Sequence, residues 1–320
     1  MPNLIAFLGA MLLAGAANAQ PAIVYPDKPV RLVVAFAPGG IADVVARFIG
    51  QKLGDAWGQP LVIENRGGAA GSIATKLVAK AAPDGYTVLI NTSAYVVAPG
   101  LNKDAGYDPE KDLVPVMNVA SSPNMIVVNP GIAANTLKDA MALAKTGKLN
   151  YGTAGAGTTP HLSAEYLFRI LAGVNIVHIP YPGAGPALNA VMGGQVELGS
   201  VALAPAVPLV RSGKVRALAV SSAKRVAALP DVPTIAESGY PGFEDNTWVG
   251  LFVPVGTPPA IVDRLNAAVA AVLAQPDLKE RLAGLGFEPD GGSPGEFARY
   301  ISAEVRKWAK VIRETGARAE

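Results

Sequence analysis

The chain has 320 residues, half of them apolar and only 16 % charged. A disordered chain needs low hydrophobicity and high net charge, so that class is excluded. A net charge of +2 makes no case for nucleic acid, which rewards a concentrated basic face. The absence of cysteine removes disulfides and thiolate metal sites, and two histidines offer little for an imidazole site, so no metal or cofactor is expected.

Residues 4–17 form an apolar run that leads to Ala17-Asn18-Ala19, the small-x-small pattern a signal peptidase accepts. Only the Met1 amine precedes the run, without Lys or Arg. Cleavage leaves Gln20 first, so residues 1–19 read as an export signal and the remainder as a soluble, exported protein. The longest later apolar stretch, 198–210, is too short to span a membrane and contains Pro205 and Pro208.

The β-branched density of residues 30–36 predicts a buried strand, followed across Ala37-Pro38-Gly39-Gly40 by a helix with Ile41, Val44, Val45, Phe48 and Ile49 on one face. A second strand covers 61–64, a helix ends near Ala82, and a third strand covers 86–90. Residues 125–128 are a fourth strand, and Thr136 with Asp139 has the spacing of a helix cap and its third position. Residues 149–152 are a strand, 153–159 a Gly-rich loop, and Thr159-Pro160 starts a helix through Ile170. Further strands cover 175–179, 215–220 and 247–253, and Thr257-Pro258 opens the helix of Ile261, Leu265 and Val269. Ser293-Pro294-Gly295-Glu296 is a capping box, and the last helix turns Phe297, Ile301, Val305, Trp308 and Ile312 inward. Alternating strands and helices imply parallel sheets covered on both faces, and the length implies two α/β lobes.

In open α/β sheets ligands bind beyond the carboxyl ends of the strands. Two loops there have the composition of an anion cradle: Phe36-Ala37-Pro38-Gly39-Gly40, and Thr153-Ala154-Gly155-Ala156-Gly157-Thr158-Thr159. Each leads into a helix whose unpaired N–H groups and dipole favour a negative group. Either loop alone reads equally as a tight turn; two of them with few charges nearby point to a carboxylate held by neutral donors. Asp43 is placed to fold back on the first turn as a cap. His161 either donates to a ligand or braces its loop, and His178 reads as a core histidine within a strand.

Enzyme motifs fail on inspection. Gly291-Gly292-Ser293-Pro294-Gly295 fits a nucleophile elbow, but the residue after that serine must donate its N–H, and Pro294 has none. Gly155-Ala156-Gly157 begins like a dinucleotide fingerprint, yet Pro160 stands where the third glycine belongs. No Gly-rich loop is followed by Lys-Ser or Lys-Thr, so there is no Walker loop. The chain does not read as an enzyme.

Tyr25-Pro26-Asp27-Lys28-Pro29-Val30-Arg31-Leu32-Val33-Val34, then Pro38-Gly39-Gly40-x-x-Asp43, resembles the start of Bug proteins, the TctC family of substrate-binding components of tripartite tricarboxylate transporters. The likeness continues through Glu64-Asn65-Arg66, Ala82-Pro83-Asp84-Gly85-Tyr86-Thr87, Tyr107-Asp108-Pro109, Tyr151-Gly152-x-x-Gly155-x-Gly157-Thr158-x-x-His161-Leu162 and Gly193-Gly194-Gln195-Val196. It extends over residues 213–220, 229–234 and 241–244, essentially the whole chain after the signal.

The resemblance implies a type II periplasmic binding protein: two α/β lobes joined by two crossover segments, with a ligand cleft between them. It places one lobe at 20–124 and 245–320 and the other at 125–244. It assigns Gly39, Gly40, Asp43, Gly157, Thr158 and His161 to the carboxylate, Thr92, Ser93, Tyr181 and Gly183 to the distal part of the ligand, and Phe36, Ala37, Ala156 and Val201 to the same binding site. It implies a monomer that hands a small carboxylated solute to large and small membrane subunits, or alternatively a periplasmic sensory receptor serving a signalling partner. Two departures matter. Pro182 stands where the family often has Lys, and Val201 where many relatives have Asp. The second predicts a ligand without an amine, an aliphatic or aromatic mono- or dicarboxylate.

Overall fold

The computed structural model describes residues 25–147 and 149–317, so the expected export signal lies outside the described residues. In chain order the first half comprises β1 (Val30–Val34), α1 (Ile41–Trp57), β2 (Leu61–Asn65), α2 (Ser72–Ala79), β3 (Thr87–Thr92), α3 (Ala94–Leu101), β4 (Leu113–Val128), α4 (Leu137–Ala144) and β5 (Asn150–Thr153). Then follow α5 (Thr159–Glu165), β6 (Val177–Pro180), α6 (Ala184–Met192), β7 (Leu198–Ala202), α7 (Leu203–Arg211) and β8 (Arg216–Val220). The last part holds β9 (Asn246–Pro254), α8 (Pro259–Leu273), α9 (Pro276–Gly284), β10 (Glu288–Gly291) and α10 (Pro294–Thr315). Among the described residues, no helix is long and apolar enough to cross a membrane.

Two sheets meet on one long strand. β1 pairs in parallel with β2 and β3, as the βα alternation predicts, but β3–β9 and β9–β4 are antiparallel. The N-terminal part of β4 pairs with β9 as far as Pro123 opposite Asn246, and from Asn124 onward β4 pairs with β7 instead. β8 also pairs with this second half of β4, while β5 joins β7 and β6 in parallel. The sheets are therefore parallel at their outer strands and antiparallel where the chain crosses. The sequence reading found only 125–128 of β4 because Pro115 and Pro123 interrupt the pattern. Proline cannot donate to a ladder, and the register against β9 shifts twice.

The burial pattern separates into cores that follow the two sheets. One holds Val33, Ile49, Leu89, Ile90, Trp248 and Phe252 with Phe297, Ile301 and Trp308 from α10. Two others hold Tyr151, Leu167, Phe168 and Leu218, and Met125, Val127, Leu188, Val191 and Val201. Both expected capping boxes form, Thr136 with Asp139 and Ser293 with Glu296. On α10, Glu304 is buried among the apolar residues because both indole N–H groups donate to its Oε2, Trp248 at 3.2 Å and Trp308 at 2.9 Å.

Gly250 lies on β9 beneath Phe297, whose ring also meets Trp248 and Phe252. A Cβ there would overlap the ring. Gly250→Ala is expected to cost about 1–3 kcal/mol through overpacking, read as a lower urea midpoint with an unchanged slope. An unchanged midpoint would show that the ring yields freely.

Candidate functional site

The loop after β1 is shaped from within. Gly39 has φ +81°, a left-handed conformation that glycine adopts without steric cost. Asp43, at the third position of α1, folds back so that its Oδ2 accepts the Gly39 N–H at 2.9 Å. Arg47 donates to both oxygens, and Asn65 Nδ2 donates to Oδ1 at 3.0 Å and to Phe36 O at 2.9 Å. Burial alone would raise this carboxyl. The bonds from Arg47, Gly39 and Asn65 and the Arg47 charge outweigh it and hold the group below its ordinary range. Asp43 thus braces the loop, and the Gly39 N–H is already taken. The first-turn N–H groups of Gly40 and Ile41 remain for another acceptor.

Across the cleft, β6 ends at Pro180 and Tyr181-Pro182-Gly183 leads into α6. The Ala37 N–H donates to Pro182 O at 3.2 Å, a main-chain bond from one lobe to the other. Glycines make this approach possible. A Cβ on Gly67 would stand 3.1 Å from Pro182 O, one on Gly183 3.1 Å from Ala37 Cβ, and one on Gly185 only 2.6 Å from Pro38 O. The same seam sets the N-terminus of α1 against that of α6, with the Cβ direction of Gly40 reaching within 3.8 Å of Ala184 N.

Between those helix ends is a small chamber of about 20 Å³, walled by Phe36, Gly40, Ile41, Thr92, Thr158, Ala184, Ala202 and Thr247. It shares Phe36 and Ala154 with a larger chamber of about 360 Å³ walled by Ala69, Ala70, Ala98, Leu101, Asn102, Ala156, Tyr181 and Pro182. Among the described residues, no charged side chain lines either chamber. Ala69 and Ala70 have φ +48° and +50°, a left-handed conformation that costs a non-glycine residue about 1–2 kcal/mol. No group of described His, Asp or Glu residues could hold a metal ion.

The Gly-Thr loop behaves differently from its sequence reading. Thr158, rather than Thr159, caps α5: its Oγ1 accepts the His161 N–H at 3.4 Å and donates to Gly155 O at 2.9 Å. The Gly157 N–H donates to His161 Nδ1 at 3.2 Å, and the Thr158 N–H to Gly155 O. The Gly155, Gly157 and Thr158 N–H groups are therefore spent within the loop, and His161 is a brace. Burial lowers the His161 imidazole to about 4 despite Glu165, and that of His178 to about 3 with help from His161. The two neutral rings stack at 4.0 Å, with His178 Nε2 bonded to Thr153 Oγ1 at 2.7 Å. Both line a neighbouring cavity of about 380 Å³ that shares Ala156 and Pro180 with the larger chamber and also carries Glu165 and Arg169.

Other expected residues divide similarly. Phe36, Gly40, Thr92, Ala156, Thr158 and Tyr181 line the two chambers, whereas Ala37, Gly39, Asp43, Gly157 and Gly183 shape the seam. Ser93 is wholly buried, and its Oγ meets Thr159 Oγ1 at 2.9 Å. Val201 is a correction. It is fully buried in the second lobe's core, and Ala202, one residue on, reaches the chamber instead. A strand reverses faces at every residue, so a one-position error in parity moves a side chain from cleft to core. The sequence reading missed α6, because Gly185 and Pro186 disguise its start. Proline in a first helical turn was the available signal.

These features define a two-lobed solute receptor of the periplasmic-binding-protein fold. The model of the tripartite tricarboxylate transporter family receptor matches residues 45–317, and the chain belongs to that family, whose members are solute-binding proteins rather than enzymes. Protein BugT of Bordetella pertussis is 38 % identical over 99 % of both chains. The structure of the periplasmic binding protein BugD superposes with TM-score 0.89 at 38 % identity, covering 92 % of this chain and 100 % of that one. The R. palustris protein Rpa4515 with adipate gives TM-score 0.89 at 39 % identity, covering 92 % and 99 %.

Gly185 lies in α6 with ordinary helical geometry, so Gly185→Ala is expected to leave the lobe intact or add about 0.5–1 kcal/mol of helix stability. Its Cβ would strike Pro38 O only when the lobes touch. Solute affinity should fall at least about tenfold, about 1.4 kcal/mol, while urea stability does not fall. Unchanged affinity by calorimetry would show that the seam is not part of the bound state.

Proposed function

We propose that this protein captures a small carboxylate in the periplasm and delivers it to the large and small membrane subunits of a tripartite transporter. The carboxylate head sits between the N-termini of α1 and α6, beside Thr92 and Thr158. The body of the solute lies in the larger chamber against Phe36, Ala70, Leu101 and Tyr181. The lobes that close on it are 20–124 with 245–320, and 125–244. The observation that carries this reading is the opposed pair of helix N-termini over chambers with no charged wall. A helix N-terminus favours a partly buried anion by up to about 2 kcal/mol. Facing ends repel when bare and are both satisfied by one anion. A solute that meets both ends only in the closed state favours that state, since a ligand shifts an equilibrium only by its differential affinity. Adipate in a solved relative supports the solute class. With no acidic side chain on either wall among the described residues, no carboxylate there rewards an amine, which replaces Val201 as the ground for expecting an amine-free solute.

The test is a thermal-shift screen of protein freed of solute by unfolding and refolding, against mono-, di- and tricarboxylates, aromatic acids and amino acids. At a thousandfold excess over Kd, binding adds about 4 kcal/mol and raises the midpoint by several degrees. Amine-free acids should shift the midpoint more than their amino counterparts. Aspartate or glutamate outperforming its deaminated analogue would contradict the amine argument, and silence from every carboxylate would contradict the solute class.

A further inference from the structure

Behind the cleft, the two chain crossings are tied together by one carboxyl group. β4 passes from β9 to β7 at Asn124, and the chain returns to the first sheet at Asp245, the residue before β9. Asp245 Oδ2 accepts from Asn124 Nδ2 at 2.6 Å and from the Ser163 hydroxyl of α5. The Asp245 N–H donates to Ser221 O at 3.1 Å, and the Ser221 hydroxyl donates to Asp245 O while accepting the Asn124 N–H at 2.7 Å. Thr247 Oγ1 donates to Asn124 Oδ1 at 2.7 Å and meets Thr159 Oγ1, also at 2.7 Å, whose other neighbour is Ser93. A chain of hydroxyls and amides therefore runs from the cleft to this carboxyl.

The other oxygen, Asp245 Oδ1, is shut from solvent and has no hydrogen-bond partner. Asp245 borders a cavity of about 300 Å³ between α5 and α10. The charged and titratable groups around it are Lys307, Lys310 and Glu314 on α10, Tyr166 beyond α5, and Glu244 on its own segment. Glu304 and Tyr300 of α10 also act on it electrostatically. The cation whose charge acts on it, Lys307, is paired with Glu304 at 3.4 Å. A buried carboxylate with one bare oxygen is costly, whereas the neutral acid is tolerated. Burial pushes this carboxyl up to about 7, against the bonds from Ser163 and Asn124 and the Lys307 charge.

We propose that Asp245 is a proton-binding hinge residue: lobe closure takes up a proton at its carboxyl, and opening, which parts it from Asn124 and Ser163 and admits water to Oδ1, releases that proton. The sign follows from linkage. The state that holds the proton more tightly is favoured at low pH, so the closed form loses ground as pH rises through the closed-state value. Full coupling changes the closed-to-open ratio tenfold per pH unit between the open-state and closed-state values. The two histidines, depressed to about 4 and 3, are neutral in the upper part of that window.

The absence of native cysteine allows spin labels at Gln51→Cys and Lys145→Cys, exposed positions in different lobes, to report lobe separation in the solute-free full chain. Between pH 5.5 and 8.5 the separation is expected to lengthen as pH rises toward about 7 and to level off above it, and Asp245→Asn should hold the short distance throughout. If that variant fails to fold, Lys307→Met, which removes the cation favouring ionisation, should move upward the pH at which the separation levels off. A pH-independent distance in the labelled parent, the same titration in Asp245→Asn, or an unmoved levelling-off in Lys307→Met would each overturn the proposal.

Discussion

Two helix N-termini, those of α1 and α6, face each other across the closed cleft within contact distance. Like partial charges at that range repel, and their unpaired N–H groups call for an acceptor. Much of the surrounding structure follows from this constraint. β1 and β6 end at the cleft so that their helices can begin there. Glycine occupies 39, 40, 67, 183 and 185 because main chains from two lobes must approach without side chains between them. Asp43 binds Gly39, Arg47 and Asn65 and so fixes the loop while consuming its own charge. Among the described residues no charged side chain lines the chambers, which leaves the helix ends as the electrostatic feature a solute meets there.

The same cleft is linked mechanically to the hinge. Ser93 and Thr159 touch across the lobes, Thr159 touches Thr247, and Thr247 bonds Asn124, which bonds Asp245. Each bond joins residues far apart in sequence, and all of them are buried. Such a network is favourable only when every member is satisfied. Asp245 Oδ1 is its one bare atom, and relieving it requires a proton, water or a displaced Lys307. Solute capture and hinge chemistry therefore draw on one set of groups.

The alternation of strands and helices was legible, and so were both capping boxes, because those signals are local and need no tertiary partner. The Gly-Thr loop was legible as a feature but not as to its donors. Only the folded position of His161 shows that Nδ1 accepts the Gly157 N–H instead of leaving it for a solute. Residues 113–124 were unreadable as a strand because Pro115 and Pro123 break the pattern, and β9 and β10 supply partners from far along the chain. The parity of β7 put Ala202, not Val201, at the cleft. Asp245 carried no sequence signal, since its character comes from burial between segments more than eighty residues apart.

The most direct measurement is a crystal structure with the tightest-binding carboxylate from the screen. The account predicts one carboxylate with its oxygens about 2.7–3.2 Å from the N–H groups of Gly40 or Ile41 on one side and Ala184 on the other. A carboxylate seated instead in the cavity of His161, His178 and Arg169, with the ends of α1 and α6 empty, would contradict it.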